Sequence, residues 1–311
     1  MTLIVAGHTL EQLDFEGIKS VHGRGTFFAS DSSITQKGEV LVNGYKKVYE
    51  IPIRVNGVNL LGNWFNGYHG FIYEDGCAIA FAGSTLVSQH IMNSIRNHLG
   101  ELKPTYRDDK YQLAMPCERH KFIGQHCDGD MFKRSDYGPN YLLSAAFIAG
   151  VVQHSIQAVL DRASEHKGMK KNFTAYQAEF VLSVRCPLTS KYHIYQYDIV
   201  PGPDDGDGSN ADSIPAVAQM AEIPEGKVAV IGMREFFEKE ANDAFAAAMD
   251  AGQRTDAAML EFVTNAILDQ NAIGAFGIGL PAFLYEHQGM RLEQTERNDG
   301  SRVSAVSSAV D

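Results

Sequence analysis

Apolar residues along the chain occur both in alternating patterns and in continuous runs, and both patterns predict β-strands. β-branched and apolar residues at 2–6 predict a buried strand, and a second strand is predicted at 25–35. The segment 39–55 alternates around an Asn-Gly pair at 43–44, which is typical of a tight turn. The apolar run at 76–83 predicts another buried strand, which leads directly into the first helical pattern.

Helical periodicity recurs in two pairs of segments. We predict helices at 84–100, 144–162, about 234–250 and 255–269. Ser84 or Thr85 can cap the start of the first helix, and Gly100 stands where its C-terminal cap is expected. Further strands are predicted at 178–186, 191–200, 226–233 and 277–290. Because strands and helices come in groups rather than in strict alternation, the chain is predicted to be an α+β layered protein.

Four segments lack a clear period. The polar segments at about 8–24 and 101–140 are predicted to be insertions, the first of them a loop or an extended hairpin. The Gly- and Asp-rich segment 201–213 is predicted to be a flexible loop, and 294–311 a disordered tail. No change of composition divides the remainder, so residues 1–293 are expected to form a single domain.

Composition disfavours nucleic-acid binding, membrane binding and a disulfide-stabilised fold. The chain has 311 residues with 27 Lys+Arg and 38 Asp+Glu, which gives a net charge of −11. Such a charge disfavours binding to nucleic acid or to an anionic membrane. The chain has no secretory signal pattern and no apolar run long enough to span a bilayer, so a cytoplasmic protein is expected. The cysteines suggest no disulfide framework: Cys77, Cys117, Cys127 and Cys186.

Thr2 becomes a candidate nucleophile if Met1 is removed. A free N-terminal threonine carries a hydroxyl nucleophile and an amine of pKa near 8 that can serve as its base. Asp31 ends a predicted strand, and Lys47 follows sixteen residues later, so the two can form a pair beneath the first strand. Gly83 lies between a strand and a helix, where backbone N–H groups can stabilise an oxyanion. An ordinary buried Asp–Lys ion pair is the simpler interpretation of two of these residues.

The segments that carry these residues resemble a known family. "MT-IV", "FFASDSSIT", "YKKVYEI" and "IAFAGS" followed by a helix look like the catalytic β subunits of the proteasome. They look still more like HslV-type peptidases and other bacterial proteasome homologues. The resemblance covers residues 2–100 and, more loosely, 178–290. It implies an N-terminal nucleophile (Ntn) hydrolase with a four-layer αββα sandwich.

The resemblance also implies roles for individual residues. Thr2 corresponds to the nucleophile and base, Asp31 to the strand-end acid, Lys47 to the lysine that activates the hydroxyl, and Gly83 to the oxyanion-hole glycine. The backbone at Ser33 and Thr35 corresponds to the segment that pairs with an extended peptide. The implied protein is a threonine peptidase or amidohydrolase without a cofactor or a catalytic metal. It would cleave peptide or protein substrates in a ring-like homo-oligomer, with an ATP-driven unfoldase as a candidate partner.

Several positions depart from the family pattern. The interval from Thr2 to Asp31 is longer than in the family, and Met233 stands where the family has a serine. Asn271 and Gly274 replace the family's later Asp and its glycine turn, with Asp269 as a candidate substitute. These departures leave open a second interpretation, a catalytically silent scaffold comparable to the α subunits of the proteasome.

A third interpretation concerns a segment rich in metal-ligand side chains. Residues 117–130 contain two cysteines, two histidines and two aspartates: Cys117, His120, His126, Cys127, Asp128 and Asp130. These are zinc-ligand types, but their spacing matches no strong zinc template, so a plain surface loop is favoured over a metal-binding module.

Overall fold

The computed structural model describes most of the chain. The described residues are 2–15, 18–36, 39–62, 64–107, 110–118, 142–170, 173–202, 216–275 and 277–300. Within them the strands are β1 Leu3–Phe15, β2 Ile18–Ser30, β3 Ile34–Gln36, β4 Glu39–Val42, β5 Val48–Leu61, β6 Trp64–Gly83, β7 Lys103–Arg107, β8 Lys110–Ala114, β9 Ala178–Arg185, β10 Tyr192–Pro201, β11 Ala216–Ile223, β12 Ala229–Gly232, β13 Ala282–Gln288 and β14 Arg291–Asn298. The helices are α1 Thr85–Leu99, α2 Ala145–Ser164, α3 Lys167–Lys170, α4 Arg234–Asp250 and α5 Thr255–Ala272. A short 3₁₀ turn lies at Phe173–Ala175.

Ten of these strands form two antiparallel five-stranded sheets. Sheet one has the order β12-β1-β2-β13-β14, and sheet two has the order β11-β10-β9-β6-β5. Two small hairpins, β3-β4 and β7-β8, complete the strands. The predicted α+β class is therefore confirmed, with mostly antiparallel sheets. Within the described ranges, no helix combines the length and the apolar composition that crossing a membrane would require.

Each sheet packs one face against a pair of helices. In sheet one, Leu3 and Val5 of β1 pack with Phe245 of α4 and with Met259 and Val263 of α5. In sheet two, one face of β5 and β6 packs against α1 and α2 in a separate apolar cluster. The antiparallel strand pairs and the helices thus bury two apolar layers, which hold the strand ends described below in fixed positions.

A third apolar cluster lies between the sheets and includes residues from both. The end of β6 contributes side chains both to this cluster and to the cluster with α1 and α2, because successive side chains of a strand point to opposite faces. Ile79 and Phe81 belong to the cluster with α1 and α2, whereas Ala78, Ala80 and Ala82 pack with Ile4 and Phe28 of sheet one and with others of that cluster. Small alanines on the inner face let the two sheets approach each other closely.

All four long helices lie where the sequence predicts them, within a few residues at each end. Ser84 takes the N-cap position of α1 without a side-chain hydrogen bond, and Gly100 is the C-cap. Four of the described strands were not predicted: β7, β8, β11 and β14. The predicted tail at 294–311 is wrong in its first part, because β14 continues to Asn298; residues 301–311 lie outside the described residues.

The two polar insertions contain regular structure. The segment at 8–24 belongs to a hairpin in which β1 and β2 pair as far as Phe15 and Ile18. The beginning of the segment at 101–140 forms the β7-β8 hairpin. Residues 119–140, and 203–213 of the predicted flexible loop, lie outside the described residues.

A buried histidine links the two sheets and predicts a dependence of stability on pH. His287 of β13 shares a 2.8 Å hydrogen bond between its Nδ1 and Oγ of Ser183 in β9, and Ser183 in turn contacts Thr26 in β2. Burial lowers the pKa of His287 from 6.5 to about 4, against an opposing effect of Asp75. The folded protein therefore keeps this ring neutral at pH values where the unfolded chain protonates it.

We expect the free energy of unfolding to fall as the pH drops through the interval between these two pKa values. The unfolded chain binds the additional proton below pH 6.5 and the folded protein only near pH 4, so His287 contributes a loss of about 3 kcal/mol over this interval. Urea unfolding at a series of pH values measures this change. His287→Asn removes the titrating group, and an unchanged slope in this variant would contradict the assignment.

Candidate active site at Thr2

Thr2 lies where the ends of four strands meet. It precedes β1, Asp31 follows β2, Lys47 precedes β5, and Gly83 ends β6. The register explains why these residues converge. Ile4 pairs with Ser30 in sheet one, so Asp31 comes beside Leu3, and its N–H donates to Leu3 O at 3.0 Å.

The two sheets bring Lys47 and Gly83 to the same place. Val48 pairs with Ala80, which sets Lys47 near the end of β6, and Phe81 N donates to Lys47 O at 3.2 Å. Thr2 and Ile4 are two residues apart along the extended chain, so their side chains point to the same face, and that of Ile4 packs between the sheets. Thr2 therefore faces sheet two, which carries the lysine.

The backbone of Thr2 is fixed from the side of β12. Met233 N donates a hydrogen bond to Thr2 O at 2.9 Å. The preceding Gly232 has φ +90°, and a Cβ at that position would lie 1.9 Å from the same carbonyl oxygen. Only glycine permits this approach, so the sequence Gly-Met at the end of β12 positions the candidate nucleophile.

Lys47 bridges Thr2 and Asp31. Its Nζ lies 3.1 Å from Thr2 Oγ1 and 2.7 Å from Asp31 Oδ1. Asp31 also accepts hydrogen bonds from the N–H groups of Leu3 at 2.9 Å and Ser33 at 3.1 Å. The side chains of Lys47 and Asp31 are 4% and 0% exposed, so this is a buried ion pair whose carboxylate is held in one orientation.

Burial changes the acidity of the lysine. The loss of hydration lowers the pKa of Lys47, while the charge and the hydrogen bond of Asp31 act in the opposite direction. An ammonium held between a carboxylate and a hydroxyl stabilises negative charge that develops on the hydroxyl oxygen. The arrangement can therefore make Thr2 Oγ1 a better nucleophile.

A cavity of about 230 Å³ opens beside Thr2. Besides Thr2 and Lys47 it is lined by Ser33, Ile34, Thr35, Tyr45, Phe81, Ala82, Gly83 and Thr85. The structure thus brings together Thr2, Lys47, Gly83, Ser33 and Thr35 around one space, with Asp31 directly behind the lysine. Ser33 Oγ donates to Asn43 Oδ1 at 2.7 Å, and Thr35 belongs to β3, which pairs with β4.

Gly83 has a conformation that other residues rarely adopt. Its φ is +99°, and a Cβ there would lie 2.4 Å from the carbonyl oxygen of Gln177. The next residue, Ser84, donates its N–H to the same oxygen at 3.0 Å and begins the turn into α1. A glycine is required here for both conformation and space, and its backbone borders the cavity beside Thr2.

A second cavity, of about 590 Å³, adjoins Thr2 and Gly83 on the other side. Four charged residues on its wall were not predicted from the sequence: Glu179, Asp198, Arg234 and Glu235. Arg234 Nη1 pairs with Asp198 Oδ2 at 3.0 Å, and Gly232 N donates to Glu179 Oε2. Burial raises the pKa of Glu179. These residues come from β9, β10 and α4, so only the sheet pairing could reveal that they are neighbours.

The positions that depart from the family pattern lie in different places. Met233 lines the second cavity beside Thr2. By contrast, Asp269, Asn271 and Gly274 line neither of the two cavities at Thr2 in the described part of the chain. In the 117–130 segment, Cys117 is described, and residues 119–130 lie outside the described residues.

Comparison with known proteins gave matches only among solved structures. No protein-family profile matches the chain, and no curated protein matches its sequence. The Anbu (Gly-1) mutant from Hyphomicrobium sp. strain MC1 matches with a TM-score of 0.48 and 13% identity, covering 97% of this chain and 88% of that one. Anbu (ancestral beta-subunit) from Yersinia bercovieri matches with a TM-score of 0.48, 11% identity and coverages of 97% and 89%. Anbu from Hyphomicrobium sp. strain MC1 gives 0.46, 12%, 96% and 88%.

These matches correct the resemblance drawn from the sequence. The similar structures are Anbu proteins, one of them described as an ancestral beta-subunit, and the identification with HslV-type peptidases and catalytic proteasome β subunits is wrong. The short motifs around Thr2, Asp31 and Lys47 are too few to separate related groups. TM-scores below 0.5 carry no information on the chemistry of this site.

Proposed function

We propose that the protein is an N-terminal threonine hydrolase that cleaves peptide or other amide bonds after the Met1–Thr2 bond has been cut. The observation that carries the proposal is the position of Lys47 Nζ, 3.1 Å from Thr2 Oγ1 and 2.7 Å from Asp31 Oδ1 in a buried site. A buried lysine that contacts both a strand-end carboxylate and the hydroxyl of residue 2 has a direct use in this chemistry.

The proposal includes the fold of an Ntn hydrolase, a four-layer αββα sandwich. Three separate apolar clusters support this order of layers: helices α4 and α5 on sheet one, the contact between the sheets, and helices α1 and α2 on sheet two. Residues 1–293, with insertions at about 8–24 and 101–140, would form one hydrolase domain. Residues 294–298, the second part of β14, would belong to the same domain.

In the proposed reaction, the freed α-amine of Thr2 takes the proton of its own hydroxyl, directly or through a water molecule. Oγ1 then attacks the carbonyl carbon of the substrate, while the Lys47 ammonium stabilises the charge developing on Oγ1. The N–H of Gly83 stabilises the oxyanion. The protonated amine gives its proton to the leaving amine, which leaves an ester on Thr2. Water then attacks the ester, releases the acid product and restores the hydroxyl.

Substrate would bind in the cavity beside Thr2. Ser33 and Thr35 line this cavity, and an extended peptide could pair with their backbone as an added strand. The larger second cavity offers room for a substrate side chain next to the same threonine. We further propose a ring-like homo-oligomer that encloses the sites, with an unfoldase as a candidate partner for protein substrates.

A catalytically silent scaffold is the second candidate function. Met233 at the wall of the second cavity favours it, because a thioether beside Thr2 has no proton to donate and cannot relay one. The scaffold has no use for a buried lysine in contact with the Thr2 hydroxyl, so the geometry favours the hydrolase.

The state of the N-terminus tests the proposed function. We expect the intact mass of the purified protein to correspond to loss of Met1, and this protein to hydrolyse members of a panel of fluorogenic peptide amides. The amine of Thr2 can act as the base only when it is free. Protein that retains Met1 and still hydrolyses the panel at the same rate would exclude the mechanism. Processed protein that neither hydrolyses the panel nor reacts with an electrophile would support the scaffold.

A further inference from the structure

A second group of reactive side chains lies on the helical layer over sheet two. His98 in the last turn of α1, His154 in the middle of α2 and Cys117 after β8 each offer one ligand atom, and these three atoms lie within 4.8 Å of one another. The rings of His98 and His154 have centroids 5.5 Å apart. None of the three residues takes part in the site at Thr2.

The hydrogen bonds of His98 prepare one ring nitrogen for a ligand role. Ser155 donates its hydroxyl proton to the Val151 carbonyl at 2.7 Å, so its oxygen can only accept from the histidine. His98 Nδ1 lies 2.7 Å from this oxygen and therefore carries the proton. Nε2 of His98 is left with its lone pair. Fixing the tautomer through the second nitrogen is the usual support for a metal-binding histidine.

The other two side chains face each other at the surface. Cys117 Sγ lies 3.4 Å from His154 Nε2, so thiol and imidazole share one proton. Both residues are exposed, while His98 is buried. A cation that replaces the shared proton would meet a thiolate sulfur and an imidazole nitrogen at once.

We propose that His98 Nε2, Cys117 Sγ and His154 Nε2 form a Zn²⁺ site with water as its fourth ligand. Zinc prefers thiolate and imidazole ligands in tetrahedral geometry, with ligand atoms about 3.3 to 3.8 Å apart. The present spacing of up to 4.8 Å closes to that range by small rotations of the two exposed side chains. On binding, the Cys117 thiol loses its proton to solvent, and one Zn–S and two Zn–N bonds form.

The site would join three elements that are distant in sequence. It would link the end of α1, the middle of α2 and the segment that follows the β7-β8 hairpin. Because α1 begins directly after Gly83, the metal would clamp the far end of the helix that starts at the candidate active site. The metal site would be separate from the candidate active site, since none of its three ligands lines either cavity at Thr2.

Metal binding by matched variants of the full chain tests the proposal. We expect the wild type to bind one Zn²⁺ per chain, and Cys117→Ser and His154→Gln to weaken binding by about 100-fold or more. His90→Ala is the matched control, because His90 is an exposed histidine on α1 outside the cluster. With Co²⁺ as the probe, the wild type and the control should show a thiolate-to-cobalt charge-transfer band that Cys117→Ser lacks.

The variants are chosen so that a folding defect cannot explain the result. Cys117 and His154 are exposed, and far-ultraviolet circular dichroism should be the same for both variants and the wild type. Ser155→Ala should weaken Zn²⁺ binding by about 10-fold through the loss of the His98 hydrogen bond. A wild type that binds no Zn²⁺, or zinc and cobalt signals that persist unchanged in Cys117→Ser and His154→Gln, would overturn the proposal.

Discussion

Thr2→Ala is expected to abolish amide hydrolysis, with a loss of roughly a thousandfold or more. The variant keeps the N-terminal amine, the cavity and the Lys47–Asp31 pair, but it lacks the hydroxyl oxygen that would form the acyl-enzyme. Since Thr2 is only partly exposed and its backbone is held by Met233, the fold should be unaffected. Rates of hydrolysis on the peptide amides that the wild type cleaves measure the effect.

Two further variants serve as controls for this result. Thr2→Ser retains a hydroxyl and should keep measurable activity, and Thr189→Ala, an exposed threonine between β9 and β10, should leave the rate unchanged. A Thr2→Ala variant that hydrolyses the same amides at the wild-type rate would show that another residue is the nucleophile.

Lys47→Met is expected to lower both activity and stability. Methionine has a similar shape but no charge, so the hydroxyl of Thr2 loses its activating contact, and the rate should fall by about 100-fold. Asp31 would remain as a buried carboxylate without its counter-charge, at a cost of about 3 kcal/mol in the free energy of unfolding. Hydrolysis rates and urea unfolding measure the two effects separately.

The double variant Lys47→Met/Asp31→Asn separates catalysis from folding. With both charges removed, the free energy of unfolding should recover part of the loss seen in Lys47→Met, because no unpaired charge stays buried and the single amide oxygen can still accept from one of the two N–H groups, that of Leu3 or that of Ser33. The rate should stay low. Recovery of the rate together with stability would show that Lys47 supports only the fold.

The fold could be predicted where the side-chain pattern follows burial. The end of β6 is apolar on both faces because it lies between helices and the other sheet, and the sequence at 76–83 shows this as a continuous apolar run. Strand β14 gave no such signal. Its side chains are mostly exposed, and the backbone pairing with β13 holds it in the sheet. A strand held mainly by backbone hydrogen bonds cannot be predicted from the periodicity of its side chains.

The candidate site also contains residues that the sequence predicted and residues that only the fold brings together. Thr2, Asp31 and Lys47 stand in short motifs at strand ends, so the order of residues along the chain was enough to suggest their contact. Glu179 and Arg234 at the second cavity lie 55 residues apart and meet only through the pairing of β12 with β1 and the packing of sheet two beside it. Of His98, Cys117 and His154, only Cys117 was a metal-ligand candidate from the sequence, because its two partners come from separate helices.

The central claim is that residue 2 supplies both the nucleophile and the base. A peptide epoxyketone tests it most directly, because this electrophile closes a ring only when a hydroxyl and a free amine belong to one residue. The measurement is the mass of the proteolytic fragment that carries the adduct. We predict an adduct with the full mass of the inhibitor on the fragment that begins at Thr2. An adduct on a fragment that retains Met1, an adduct at another residue, or no adduct would contradict the claim.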